Sequence, residues 1–378
     1  MRGRSLFASI TTLTCASALA MVAAPAGATE SATTATCPAV AHHVDASRNG
    51  KSCTALSAAP HQKWSVTLNG SASYPIIAAG KVFVATANPG GNYGGQLYAL
   101  DAATGKVVWG PVALSGTYYY FALAYDGGEL FANNFDGTVT AFDPATGAQL
   151  WSTATGNFSG EPVATGGVVY VYGSGQVVAL SESTGAVDWQ AAVDGDGGSL
   201  AVDGSGVYAN GGCSQTHISL TGAVLWNDND GCTGGGGGTS YLTSSLFFSD
   251  TGHHILKKST GAAVGAFTGA PAFSGGNAFF ANGTQLTSET LSNFALRFTT
   301  TLPSQIVAGP VIAGNVVYLG GAGNKLYGVS TSTGKIVVTL PLPGTPGGGG
   351  EYFAPPSDIN VGNGLLVVPT GSTVTAFD

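Results

Sequence analysis

The chain has 378 residues, with 12 basic and 20 acidic side chains, 44% hydrophobic residues and only 8% charged ones. Such a balance excludes a disordered polyelectrolyte and a basic nucleic-acid binder. The 59 glycines follow no three-residue period, which excludes collagen and leaves an all-β fold with a tight turn roughly every ten residues.

Residues 1–28 read as a secretory signal. Arg2 and Arg4 give a positive start, Leu6 to Ala24 is uncharged and mostly apolar, and Ala26-Gly27-Ala28 has the small-x-small pattern of a cleavage site. The mature chain then starts near Thr29. An uncleaved anchor is the alternative, since the apolar stretch is just long enough to span a bilayer. Cys15 follows Thr12-Leu13-Thr14, a poor lipoprotein signal. Cleavage leaves 10 basic against 20 acidic residues, a net charge of −10 that repels nucleic acid and anionic lipid. The expected location is secreted or on the cell-envelope exterior, as a monomer with no membrane span. Four cysteines remain, Cys37, Cys53, Cys213 and Cys232, an even number that favours two disulfides in an exported protein. Nearest-neighbour pairing is the simplest of three options, each bridge closing a loop worth about 3 kcal/mol. A zinc site is the alternative, although the sequence has no C-x-x-C.

After a lead-in segment, 29–61, a repeat occupies 62–378. Its first copy is Leu100-Asp101-Ala102-Ala103-Thr104-Gly105 running to Trp109. The second has Asp143, Thr146, Gly147 and Trp151; the third Thr184, Gly185 and Trp189; the fourth Thr221, Gly222 and Trp226. The glycines are 42, 38 and 37 residues apart. Fainter copies recur at Thr260-Gly261 and Thr333-Gly334, with a degenerate unit between them marked by Leu291-Ser292-Asn293 and Phe298 near the Trp position. Short Val- and Tyr-rich runs precede each marker, as in Lys81 to Ala85, Gly167 to Val171 and Asn315 to Leu319. Their near-continuous apolarity predicts strands covered on both faces. Four strands per unit of about forty residues make a propeller blade. In the Asp-x-x-Thr-Gly turn, Asp and Thr bond local backbone and Gly supplies φ > 0, while the Trp on the outermost strand packs against the adjoining blade.

These residues resemble the tryptophan-docking signature of the PQQ-like, quinoprotein-type β-propeller repeats, Ala-x-Asp-x-x-Thr-Gly-x-x-x-Trp. The stretch from Cys37 to Gly50 is similar to the lead-in before their first blade. The resemblance covers the mature chain and is degenerate in blades five to eight, where the Trp is missing. No Trp-Asp dipeptide supports a WD40 propeller. An eight-bladed β-propeller follows from the count: 317 residues from 62 to 378 give about 40 per blade. The chain stops at the Asp of a third strand, Thr373 to Asp378, and Gln62 to Leu68 is an orphan fourth strand with its own docking Trp64. The two ends are therefore expected to pair and close the ring, which removes sheet edges.

In such blades the second-to-third and fourth-to-next-first connections emerge on one face. That face gathers Cys213 and Cys232, the stretch with Asn92 and Tyr93, the Asn227 to Gly231 stretch with Asp228 and Asp230, and the polyglycine loop followed by Glu351, Tyr352 and Phe353. These are the candidate ligand residues. Hydrolase, zincin, P-loop and Rossmann motifs are absent from the sequence. His42-His43 and His253-His254 are adjacent pairs, which on a strand point to opposite faces, so neither is expected to chelate one ion as a unit. Asp194-Gly195-Asp196-Gly197 and Asp228 to Gly231 read as turns, with calcium as the alternative. Tyr118 to Phe121 is expected to be an innermost strand beside the channel.

The resemblance raises pyrroloquinoline quinone as a cofactor. The dehydrogenases of the family hold it in the channel against a Trp, near a vicinal disulfide and with a divalent cation. Here all five tryptophans stand at docking positions and no two cysteines are adjacent, so no catalytic, cofactor or metal residues are assigned. The expected function is a non-catalytic module binding a protein, glycan or small ligand through the loop face. A dehydrogenase using the quinone with calcium, and an outer-membrane assembly scaffold, are the alternatives.

Overall fold

Each short apolar run bounded by glycine turns is a strand, as in Lys81–Ala87, Val168–Gly173 and Val316–Gly321. The computed structural model describes Met1 and residues 36–89, 93–114, 116–156, 160–195, 197–212, 214–229, 238–350 and 354–378. The signal region, Cys213, Cys232, Asn92, Asp196, Asp230 and Glu351 to Phe353 lie outside the described residues. Within 36–378 the strands form eight antiparallel four-stranded blades in a ring. Seven blades are consecutive in sequence, with innermost strands Ile76–Ala78, Phe121–Asp126, Val163–Thr165, Ser199–Asp203, Ser240–Leu242, Ala270–Ser274 and Ile306–Ala313. The eighth combines Asn360–Gly362, Leu365–Thr370 and Thr373–Phe377 with Gln62–Thr67 as its outermost strand. Trp64 stands opposite Ala376 and Val66 opposite Val374, so the two ends pair as expected. A short pair, Gly348–Gly350 with Ala354–Ser357, precedes the last blade.

The apolar runs are continuous because neighbouring blades cover both faces. Gln176–Ser181 is buried at every internal position, whereas the outermost strand Gln149–Ala154 is exposed at alternate positions. Fully buried Phe83, Phe131, Tyr208 and Phe247 fill the spaces between blades. Each such side chain contributes about 1.5–3 kcal/mol of burial.

Five tryptophans lock successive blades together. The indole Nε1 of Trp64 donates to Ala102 O at 3.0 Å, that of Trp109 to Pro144 O at 3.0 Å, and that of Trp189 to Leu220 O at 3.0 Å. Trp226 donates to Lys258 O at 2.8 Å and Trp151 to Glu182 O. Each ring lies flat over the turn glycine of the next blade: a Cβ on Gly105 would stand 2.6 Å from the Trp64 ring. Gly105 also has φ +71°, so glycine is required twice over. Asp101 Oδ1 accepts from Thr104 N at 2.9 Å and Thr104 Oγ1 at 2.7 Å, and Asp143 Oδ1 accepts from Thr146 N at 2.9 Å. Thr184 Oγ1 accepts from Ala186 N, and Thr221 N donates to Ser219 Oγ, so the third and fourth turns are closed by hydroxyls instead.

In the degenerate half the same docking is achieved with other residues. Between blades 5 and 6 the large and small partners are exchanged: Gly265 occupies the Trp position, and Phe294, with φ +55°, occupies the turn-glycine position. A Cβ on Gly265 would stand 3.5 Å from the Phe294 ring. Between blades 6 and 7, Phe298 lies over Gly334, where a Cβ would stand 2.7 Å from its ring. Phenylalanine has no N–H, and the adjacent Arg297 supplies the missing donor, its Nη1 reaching Thr331 O at 3.1 Å.

Candidate functional site: the plugged channel

Residues 37–53 of the lead-in segment are threaded into the channel of the ring. Their exposed carbonyls and amides satisfy the inner edges of the blades, a pairing that any residue type can make. Ala39 and Ile77 exchange bonds of 2.9 and 2.8 Å, and Val40 O accepts from Tyr125 N at 2.9 Å. Ala46 O, Ser47 O, Asn49 O and Gly50 O accept from Val202, Leu242, Phe273 and Ile312 N at 2.7–2.9 Å. Cys37 O accepts from Asn363 N at 2.7 Å, and Arg48 Nη2 donates to Glu161 O at 3.0 Å. Every blade is therefore touched. The Cys37–Cys53 disulfide, with Cα atoms 5.6 Å apart, ties the two ends of the plug.

Asp45 organises the plug from within. Its Oδ1 accepts from Ser47 N at 3.0 Å and Ser47 Oγ at 2.7 Å, and burial raises its carboxyl despite these bonds. His43, Val44 and Arg48 all have positive φ, so the backbone here is a compact turn and no strand. That overturns the premise that His42 and His43 must diverge: their rings stand 4.8 Å apart at 84°, and both approach Asp358.

The result is a polar cluster beneath the loop face, because Tyr74, Tyr120, Glu161 and Asp358 immediately precede innermost strands. Arg48 is fully buried. Its Nη1 lies 3.3 Å from His42 Nδ1 and 3.4 Å from Glu161 Oε2. Arginine only donates, so His42 Nδ1 accepts, and Nε2 carries the proton toward Asp358 Oδ2 at 3.1 Å. Asp358 Oδ1 accepts from Gly309 N and Ile359 N, both at 2.7 Å. Burial would raise Asp358, but the hydrogen bonds it accepts, from His42 first and from the Gly309 amide, hold it below the usual carboxylate range. Glu161 is likewise held low against burial, chiefly by Arg48. His43 is driven down to about 3 by burial and then by His42, so it is a neutral imidazole. Its Nδ1 has no hydrogen-bond partner. Tyr74 packs on His42 and its hydroxyl donates to Leu123 O at 2.6 Å, while Tyr241 meets His43 edge-on. Two imidazoles and a carboxylate can hold a cation, while the fixed charge of Arg48 ties His42 to Glu161.

Of the sequence-predicted loop residues, the two that are described, Tyr93 and Asp228, stand apart from this cluster. Tyr93 is 65% exposed and packs against Tyr119 at 5.2 Å. Asp228 is not in a loop: the outermost strand runs on to Asn229, with Asp228 opposite Gln215. The physical reason is the Asn227-x-Asn229 alternation, which puts two amides on one face, both donating to Asp194 Oδ2 at 3.0 and 3.2 Å. The innermost strand of blade 2 starts at Phe121, so Tyr118 to Tyr120 precede it, held as a bend by Asn134 Nδ2 bonding Tyr118 O and Tyr120 O. His253 is exposed beside Asp250 at 3.4 Å, and His254 starts the next strand. Arg48, Glu161 and Asp358 were missed; the Asp45-x-x-Arg48-x-Gly50 pattern, in a chain with so few cations, was the available signal.

The family model described as outer membrane protein assembly factor BamB matches residues 19–114, 135–265 and 247–378. No curated protein matches the chain in sequence. Among solved structures, BamB from Moraxella catarrhalis superposes with a TM-score of 0.64 at 16% identity, over 84% of this chain and 99% of that one. A europium-containing methanol dehydrogenase gives 0.67 at 13% identity, over 90% and 98% of the two chains. The computationally designed Ika8 protein gives 0.64 at 14%, over 85% and 98%.

Proposed function

Because the chain belongs to the PQQ-repeat propeller family whose model is described as outer membrane protein assembly factor BamB, we propose that it is an exported, non-catalytic binding module. It offers its loop face to a partner, with a protein favoured over a glycan or small ligand. The observation that carries this reading is the plug: residues 37–53 occupy the axis where the dehydrogenases of the family hold their quinone. The docking bonds of all five tryptophans add support, since none is left to stack on a cofactor. The Cys37–Cys53 disulfide fits an oxidising compartment outside the cytoplasm. Among the described residues no helix is long and apolar enough to cross a membrane.

Two measurements test this reading. Calorimetric titration with pyrroloquinoline quinone, with and without calcium, is expected to give no heat; micromolar, calcium-dependent binding would overturn it. Partners retained from an extracellular extract are expected to be lost when Tyr93 and Tyr119 are both replaced by serine. Unchanged retention would remove the loop face from the proposal.

A further inference from the structure

We propose that His42, His43 and Asp358 form a binding site for one first-row divalent transition ion, with Zn2+ as the ion to test. The site is independent of whether the loop face engages a partner. One donor atom from each residue lies within 4.8 Å of the other two. His42 Nε2 is 3.1 Å and His43 Nε2 3.8 Å from the same oxygen, Asp358 Oδ2. Donors arranged tetrahedrally about 2.0–2.1 Å from an ion stand about 3.4 Å apart, so small side-chain rotations complete the geometry. The two ring centroids stand 4.8 Å apart, and both Nε2 atoms approach the same carboxylate oxygen.

The surroundings orient the donors as outer-shell partners do in metal sites. Asp358 Oδ1 is fixed by two backbone amides, which leaves Oδ2 to face the histidines. The His43 carbonyl accepts from Asp45 N and Gly50 N, both at 3.1 Å, so its backbone is pinned within the plug. The His43 ring is buried, its Nδ1 lacks a partner, and its Nε2 is beyond hydrogen-bond reach of Asp358. An ion held by His43 Nε2 leaves the ring proton on Nδ1. The His42 and Asp358 side chains are 13% and 16% exposed, which gives an ion a route in. Two imidazoles with one carboxylate suit zinc, copper or nickel, whereas calcium and magnesium prefer all-oxygen sets. Three protein ligands leave a fourth position for water or for a donor from a partner.

Arg48 makes the site conditional. When an ion takes His42 Nε2, the ring proton must sit on Nδ1, now facing the Arg48 guanidinium. Arg48 then relinquishes that contact and relies on Glu161, whose carboxylate and carbonyl already hold it at 3.4 and 3.0 Å. Glu161 is thus a positioning residue for the metallated state.

The full exported protein, stripped with a chelator, is titrated with Zn2+ by calorimetry and with Cu2+ by electron paramagnetic resonance. One ion per chain is expected, with hyperfine splitting from two nitrogens. His42→Gln and Asp358→Asn should each weaken Zn2+ binding by about 100-fold or more. His61→Gln and His253→Gln should leave it unchanged. Should Asp358→Asn fail to fold, His42→Gln at the partly exposed edge of the site remains, checked by its melting temperature without metal. No bound Zn2+ in the wild type overturns the proposal, as does affinity retained in His42→Gln or lost in His253→Gln. Glu161→Gln should weaken Zn2+ while leaving the two-nitrogen signature of Cu2+ intact; a changed signature would make Glu161 a ligand and refute its positioning role.

Discussion

Replacing Arg297 by alanine tests whether blade 6 divides between two residues what a docking tryptophan does alone. Arg297 Nη1 donates to Thr331 O at 3.1 Å and to Ser288 Oγ at 2.8 Å, and its guanidinium lies 5.6 Å from the Phe298 ring. The side chain is exposed, so these contacts together are worth about 1–2 kcal/mol. Phe298→Trp in the Arg297→Ala background places an indole N–H against the carbonyl just vacated. The register matches that of Trp109 and Pro144 O, three residues before the turn glycine. It should recover about 1 kcal/mol, the net worth of one such bond. In the wild-type background the same change should gain nothing, because the guanidinium already fills that place. Urea denaturation followed by circular dichroism on the four proteins gives the coupling directly. A coupling near zero, with Phe298→Trp acting equally in both backgrounds, would refute the division of labour.

Three further outcomes follow from the packing. Phe294→Gly should cost about 1–2 kcal/mol, a half-buried ring lost against relief of a left-handed backbone, and Gly265→Trp should restore most of it; a Trp that destabilises the Phe294→Gly protein further would disprove the exchange. Glu182 is pushed up to about 8 by burial, then by the charge and hydrogen bond of Asp126 and the charge of Glu129. Its folded form holds a proton that the unfolded form releases near 4.5, so this stabilisation is complete below pH 4.5 and lost as pH rises through 8. Glu182→Gln should flatten that fall, by up to about 3 kcal/mol at pH 7, in denaturation curves taken from pH 4 to 9. Replacing Cys37 and Cys53 together by serine should cost about 3 kcal/mol and expose residues 37–53 to proteolysis before the ring; simultaneous cleavage of both would show that the plug has no stability of its own to lose.

Blade type and ring closure were legible because the first four blades and the closing strand keep the residues whose geometry is most exacting. Gly105 must be glycine both for its φ and for the ring above it, and Trp64 marks an outer strand wherever its blade happens to sit. The blade 5 and 6 interface was harder to read. Moving the aromatic ring from strand to turn, as Phe294 and Gly265 do, preserves the contact in space while erasing it from the pattern. Asp228 was misplaced because strand length is set by which carboxylate the Asn227 and Asn229 amides find, a partner 33 residues away in sequence. The plug was invisible for a deeper reason: it is held by backbone groups, which carry no sequence signature. Once the plug is in place, a His-His pair that looks like a divergent strand dipeptide becomes a turn with both rings on one acid.

The contacts of the plug also bear on how this protein comes to be folded. Cys37 bonds to Asn363 across 326 residues, Ala41 to Asn360 across 319, and Thr54 to Gly364 across 310, so its anchors are among the most sequence-distant pairs the chain can make. Residues 37–54 must therefore wait for the last blade before they can bury their polar groups. Such non-local closure makes folding slow. It also makes escape slow, since no blade can leave the ring without disturbing an axle to which its neighbours are also bonded. Resistance to proteolysis is then governed by the rate of opening more than by the equilibrium.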